Sequence, residues 1–318
     1  MYENEEMRKV LCNKLDSFME KDDRIVVINA DLGKADGTLP LMEKYPERVF
    51  DVGIAEQNMA SVAAGMASYG MIPFINSFTP FATRRICDQI AISICYAKRN
   101  VKIIGSDPGI TAELNGGTHM SVEDIGVLRS IPNIVIYEPV DAVQFAQSMD
   151  QIISYDGPVY IRLFRKAIPA VFDSNYRFDL FKADRLKEGE DVSIFATGIM
   201  VKEALEAGKI LEARNIRADI INVHTLKPID KETIIDSIRK TGCAVTCENH
   251  NVIGGLHSAV AEVLIEACPA YVKAVGIQNH FGEVGKIPFL SKKFGMTTND
   301  IVEAALEVIK RKSLTKAS

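Results

Sequence analysis

The stretch 51–89, DVGIAEQNMASVAAGMASYGMIPFINSFTPFATRRICDQ, brings together residue types that can do chemistry. Glu56 follows a turn at Gly53 and stands at the head of a small-residue helix expected over 59–69, which Gly70 ends. A carboxyl group there feels two opposed influences. Apolar surroundings raise its pKa by desolvation, and a helix N-terminus favours its charged form. A strand over 71–75 follows, and then Phe78 and Phe81 flank Thr79-Pro80. Two rings so spaced can hold a flat heteroaromatic ring by stacking and edge contacts, or they can pack a core. Further along, Gly116-Gly117-Thr118-His119 places an imidazole, suited to proton transfer near neutral pH, in a long loop. Arg8 and Arg165 add guanidinium forks, which match two oxygens of a phosphate at once. Taken alone, Arg8 is a solvated helix residue, Arg165 a surface ion-pair partner, and Asp31 a turn former.

The elements that must position these residues alternate between helix and strand. Met7, Val10, Leu11, Leu15, Phe18 and Met19 have helical spacing over 5–19. Residues 25–28 are a continuous apolar run, the pattern of a strand buried on both faces of a parallel sheet, 101–105 is expected to be another buried strand, and strands are expected over 134–137 and 159–163. The first run ends at Asn29-Ala30-Asp31, where an α/β fold places ligands. Helices are expected over 82–98 and 141–154. The loop 106–120 is long for a compact domain, as functional loops often are. Residues 168–190 are charged and read as an irregular linker. Alternation then resumes: strands at 192–196, 218–223 and 243–247, and helices at 201–213, 231–239 and 256–267. These divisions give a first domain over 1–167, a linker over 168–190 and a second domain over 191–318. Gly254-Gly255 ahead of the last of these helices could form an anion site, and a structural role is preferred. His250 and His257 have no evident partner in the sequence.

The chain has 318 residues, with 47% hydrophobic and 25% charged, enough for two cores. Its net charge of −5 offers no footprint for nucleic acid or membrane. The acidic start MYENEEMRKV does not read as a signal peptide, and no run of eighteen apolar residues occurs. Six scattered cysteines read as reduced thiols, so a cytoplasmic protein is expected. Cys243 and Cys247 lack histidines at ligand spacing, so no metal site is expected on this chain.

At these separated motifs the chain resembles the transketolase family, and most nearly the C-terminal subunit of a transketolase split into two chains. The resemblance implies an α/β fold of two domains: a parallel-sheet pyrimidine-binding domain for thiamine diphosphate and a smaller transketolase C-terminal domain. It implies that Glu56 shares a proton with the aminopyrimidine nitrogen, so that the neighbouring amine can deprotonate the thiazolium carbon. Phe78 and Phe81 would wall the aminopyrimidine ring, a third family aromatic falling at Ile75, and Asp31 would lie near the cofactor. His119 would contact substrate hydroxyls, and Arg8 and Arg165 would hold a sugar phosphate. The motifs Glu248-Asn249-His250 and Phe281-Gly282-Glu283 resemble the family's C-terminal domain, which mainly builds a dimer.

A complete thiamine enzyme also needs a Gly-Asp-Gly signature for its metal, and this chain has none. The expectation is therefore half of an active site. An N-terminal partner subunit would hold the diphosphate through Mg²⁺ or Ca²⁺, most simply in a heterotetramer. The reaction implied is transfer of a two-carbon glycolaldehyde unit from a ketose to an aldose. Alternatives are a β-type subunit of a 2-oxo-acid dehydrogenase, a deoxyxylulose-phosphate-synthase-like protein, and a non-catalytic assembly subunit. Three positions depart from the family. Asp107 falls where a phosphate-contacting His is usual, Ala35 where a Ser is, and Asn115 where an Asp reads the donor hydroxyl. A sugar with a non-standard tail is the expectation drawn from them.

Overall fold

The apolar runs form the centres of two sheets. In the computed structural model, which describes Tyr2 and residues 4–316, the strands are β1 (Ile25–Asn29), β2 (Val49–Asp51), β3 (Ile72–Phe78), β4 (Lys102–Ser106), β5 (Val135–Tyr137) and β6 (Val159–Leu163), then β7 (Asp184–Lys187), β8 (Val192–Ala196), β9 (Ala218–Asn222), β10 (Thr225–Lys227), β11 (Cys243–Asn251) and β12 (Tyr271–Ile277). The first sheet has the order β10-β5-β6-β4-β3-β1-β2, and β1 to β6 pair in parallel. The second has the order β12-β11-β8-β9-β7. Every residue of β1, β4, β5 and β6 is buried, as covering helices on both faces require. The helix Met7–Met19 buries Met7, Val10, Leu11, Leu15 and Met19 along one stripe, as its spacing demands. Asp141 caps the helix Ala142–Ser154, its carboxylate accepting from the Gln144 amide at 2.7 Å.

Three expectations need correction. The segment 168–190 is not wholly irregular: β7 lies within it and pairs antiparallel with β9. The single helix expected over 82–98 is broken. A short helix Thr79–Ala82 stops at Thr83, whose hydroxyl bonds back to the Thr79 carbonyl at 2.6 Å, and a wider π-type helix covers Gln89–Tyr96. Ile75 is fully buried within β3 and walls no open site. The domains also share a sheet edge, because β10, from the second half of the chain, pairs antiparallel with β5.

A buried polar network joins the halves and fixes the long loop. Arg162, in β6, donates from Nε to Asp124 at 2.8 Å, from Nη1 to Glu138 at 2.6 Å, and from Nη2 to the Asn249 carbonyl at 2.7 Å. Burial alone would raise the Asp124 pKa, but Arg162, His250 and its hydrogen bonds hold it below the ordinary value. The Asn249 side chain accepts from the Ile110 amide and donates to the Pro108 carbonyl, both at 2.9 Å. It thereby pins the loop that follows β4. Gly109, at φ 54°, passes so close that an added Cβ would stand 2.2 Å from Asn249 Oδ1. Among the described residues, no helix is long and apolar enough to cross a membrane.

Candidate active site

Parallel α/β sheets gather their functional residues at the carboxyl ends of the strands, because each strand delivers the chain there before its crossover. In this chain four adjacent strands do so, in the spatial order β6, β4, β3, β1. Phe78 is the last residue of β3. Asp31 and Asp107 follow β1 and β4, both at positive φ, 61° and 52°, which non-glycine residues adopt at a cost. Arg165 lies two residues beyond β6.

Glu56 is the first residue of the helix Glu56–Ser68 and is only 4% exposed. Its Oε1 accepts from Arg85 Nη1 at 2.7 Å. The Arg85 guanidinium also lies over the Phe81 ring at 3.8 Å, so carboxylate, cation and ring form one contact chain. Phe78 and Phe81 are 6.3 Å apart between centroids and tilted by 41°. His119 meets both edge-on, at 5.2 Å from Phe81 and 6.0 Å from Phe78. Thr118 Oγ1 lies 2.9 Å from His119 Nδ1 and orients the imidazole. These residues come from three separate motifs, and the fold brings them together.

A second group gathers around the loop at Ala35. Arg165 donates from Nε to Asp107 Oδ2 at 2.7 Å and from Nη1 to the Ala35 carbonyl at 3.0 Å, and it packs over Phe78 at 4.9 Å. Arg8 donates from Nε to Glu6 at 3.0 Å and from Nη1 to the same Ala35 carbonyl at 3.4 Å. Asp36 is buried beneath them, accepting from Ser106 Oγ at 2.7 Å. Desolvation, only partly offset by Ser106 and Arg165, pushes its pKa up to about 7. Asp31 and Asn115 are exposed, and their side chains make no hydrogen bond among the described residues. The Asp31 amide donates to Asp51, which also accepts from Gly53 and so holds the turn before Glu56.

Sequence reasoning missed Arg85, Asp36 and Glu6. Asp36 carried no local signal. Arg85 stands four residues after Phe81, and Glu6 two before Arg8, so their proximity was at least available. The anion site considered at Gly254-Gly255 is filled from within. Glu248 accepts from the Leu256 and His257 amides at 2.7 and 2.9 Å, capping the helix Leu256–Ala267. The histidines there also have partners. His250 lies 2.6 Å from the Asn251 carbonyl and accepts from the Gly126 amide, and His257 meets Thr246 Oγ1 at 3.1 Å.

The arrangement fits one end of a flat, nitrogenous cofactor: a buried carboxyl, a tilted ring pair and an imidazole beside them. Among the described residues, no group of three or more His, Cys, Asp or Glu is arranged to hold a metal ion.

Residues 4–170 match the transketolase pyrimidine-binding domain, and residues 181–301 the transketolase C-terminal domain. The 6-deoxy-6-sulfo-D-fructose transketolase subunit SqwH of Clostridium sp. (strain MSTE9) is 52% identical, over 96% of this chain and 95% of that protein. A putative transketolase C-terminal section of Methanocaldococcus jannaschii is 38% identical, over 96% of each. A solved split-gene transketolase, an inactive beta4 tetramer, superimposes with a TM-score of 0.89 at 42% identity, covering 96% of this chain and 99% of that one.

Proposed function

The chain belongs to the transketolase family, as the C-terminal subunit of a split enzyme, and from that premise we propose that it supplies the pyrimidine-binding half of a thiamine-diphosphate active site. An N-terminal subunit completes that site and holds the diphosphate through Mg²⁺ or Ca²⁺, in a heterotetramer. The observation that carries the reading is the position of Glu56, buried at a helix start beside the Phe78–Phe81 pair and His119.

Each residue has a part. Glu56 holds a proton at the aminopyrimidine ring nitrogen, and release from Arg85 frees its Oε1 for that contact. Phe78 and Phe81 flank the ring, and Asp31 lies at the edge of the cofactor site. Thiamine diphosphate, when bound, supplies nucleophilic addition to a ketose carbonyl and carriage of a two-carbon unit. In the net reaction the ketose C2–C3 bond breaks, and the two-carbon glycolaldehyde unit joins the carbonyl carbon of an aldose. His119, its Nδ1 beside Thr118, orients the sugar hydroxyls and moves their protons, with the exposed Asn115 in the same loop. Arg8 and Arg165 take the anionic tail.

The Clostridium relative is named for 6-deoxy-6-sulfo-D-fructose, and the similarity over nearly the full length supports a donor of that kind. The test is Glu56→Gln in the reconstituted enzyme. This variant should keep its fold and partner binding yet lose activity by about a hundred- to ten-thousandfold, the range of general acid–base contributions. Cofactor thiazolium proton exchange, followed by NMR, should slow in parallel. An unchanged exchange rate rejects the role of Glu56.

A further inference from the structure

Resting on the transfer reaction proposed above, we propose that Asp107 sets the charge of the substrate tail, selecting a singly charged sulfonate over a doubly charged phosphate. Two guanidinium groups face the tail position, and each already has a carboxylate. Asp107 Oδ2 accepts from Arg165 Nε at 2.7 Å and lies 2.5 Å from Nη2, while its Oδ1 accepts from the Arg165 backbone amide at 3.1 Å. Glu6 Oε2 accepts from Arg8 Nε at 3.0 Å. The positive charge of the pair is therefore largely spent before substrate arrives.

The Asp107 carboxylate is built into this position. Asp107 is 3% exposed, sits at φ 52°, and its own amide donates to the Leu163 carbonyl at 2.9 Å. Its side chain cannot swing into solvent without leaving Arg165. Beneath it Asp36 is buried, and its Oδ2 has no hydrogen-bond partner among the described residues. A second buried carboxyl in the same pocket adds to the penalty on any further negative charge.

The two tail chemistries differ in that one respect. A sulfonate is the anion of a strong acid and carries a single charge at any working pH. A phosphate monoester carries about 1.5 to 2 negative charges near pH 7, its second pKa being about 6. Both present three oxygens to Arg8 and Arg165. Only the phosphate brings a second charge against Asp107, at a distance where one charge pair matters by a factor of ten or more.

The experiment measures kcat/KM for 6-deoxy-6-sulfo-D-fructose and for fructose 6-phosphate, using the full chain reconstituted with its partner subunit. The wild type should favour the sulfonate. Asp107→Asn, which keeps the side-chain shape and tolerates the backbone angle, should shift the ratio toward phosphate by about tenfold or more. Asp107→His provides a second variant and should shift it the same way. A merely structural loss lowers both substrates together and leaves the ratio unmoved. In the wild type the ratio should also narrow as pH falls through about 6, where the phosphate gains a proton. Asp36, pushed by burial up to about 7, gains its proton as pH falls toward that window and relieves the phosphate more than the sulfonate, so it narrows the ratio in the same direction. Calorimetric binding of the two sugars gives the same ratio without turnover. A complex that discriminates in binding but transfers nothing would refute the proposed reaction and leave the charge selection standing. Equal use of both sugars by the wild type, or an unchanged ratio in both Asp107 variants, would overturn the proposal.

Discussion

Arg162 and Arg165 stand three residues apart on one strand and its exit, yet they live in opposite surroundings. The Arg162 side chain is fully buried and spends its donors on Asp124, Glu138 and the Asn249 carbonyl. Arg165 is partly open, shares its fork with Asp107, and turns its face to Phe78 and the site. The first couples the two halves of the chain, because Asn249 belongs to β11 and Asp124 and Glu138 to the first half. The second has less to hold and more room to bind. The lesson is physical: satisfied buried charges resist change, and a cation left near the surface with a single carboxylate can exchange partners.

The same substitution at both positions tests that contrast. Arg162→Lys cannot reproduce three separate bonds in a dry site, so it should cost roughly 3–5 kcal/mol of stability, read from a denaturant midpoint. Arg165→Lys keeps a charge beside Asp107 and should cost less than about 1 kcal/mol, while kcat/KM falls by about tenfold or more through loss of the fork. Comparable destabilisation by both would break the distinction.

A pH titration sharpens the account of the buried region. Burial pushes the His250 pKa from 6.5 down to about 4. Its neutral ring serves one tautomer, donating from Nδ1 to the Asn251 carbonyl and accepting at Nε2 from Gly126. Between those values the unfolded chain binds a proton that the folded chain refuses. Stability from His250 is therefore present above about pH 6.5 and lost as pH falls toward 4, by at most about 3 kcal/mol. The stability difference between wild type and His250→Asn should shrink over that window. A difference independent of pH would mean that His250 is not held neutral. At the small end, the exposed pair Lys209–Glu206, at 2.8 Å, sets the baseline. Glu206→Gln should change stability by less than about 0.5 kcal/mol.

What could be read in advance follows from where the information sits along the chain. The strands β1, β4, β5 and β6 were legible because burial on both faces makes most of their positions apolar. β7, with the sequence Asp-Arg-Leu-Lys, was not, because a half-buried edge strand carries charge and no run. β10 is only three residues long and joins a sheet whose other strands precede it by many residues. The break at Thr83 depends on a hydroxyl turning back on the helix, against the apolar periodicity that continues beyond it. Among site residues, Glu56, Phe78, Phe81 and His119 lay in local motifs. The Asp107–Arg165 pair did not, because only the neighbouring of β4 and β6 brings residues 58 apart into contact. Arg162 could have been noticed, since an arginine inside Val-Tyr-Ile-Arg-Leu must find buried partners.

The most direct test of the central claim, that this chain holds half of an active site, is a three-way activity measurement. Purified chain, purified N-terminal partner and their mixture are each assayed with thiamine diphosphate, Mg²⁺, a ketose donor and an aldose acceptor. The account predicts transfer by the mixture alone, with activity saturating at equal numbers of the two chains. Full activity from this chain without its partner would contradict it.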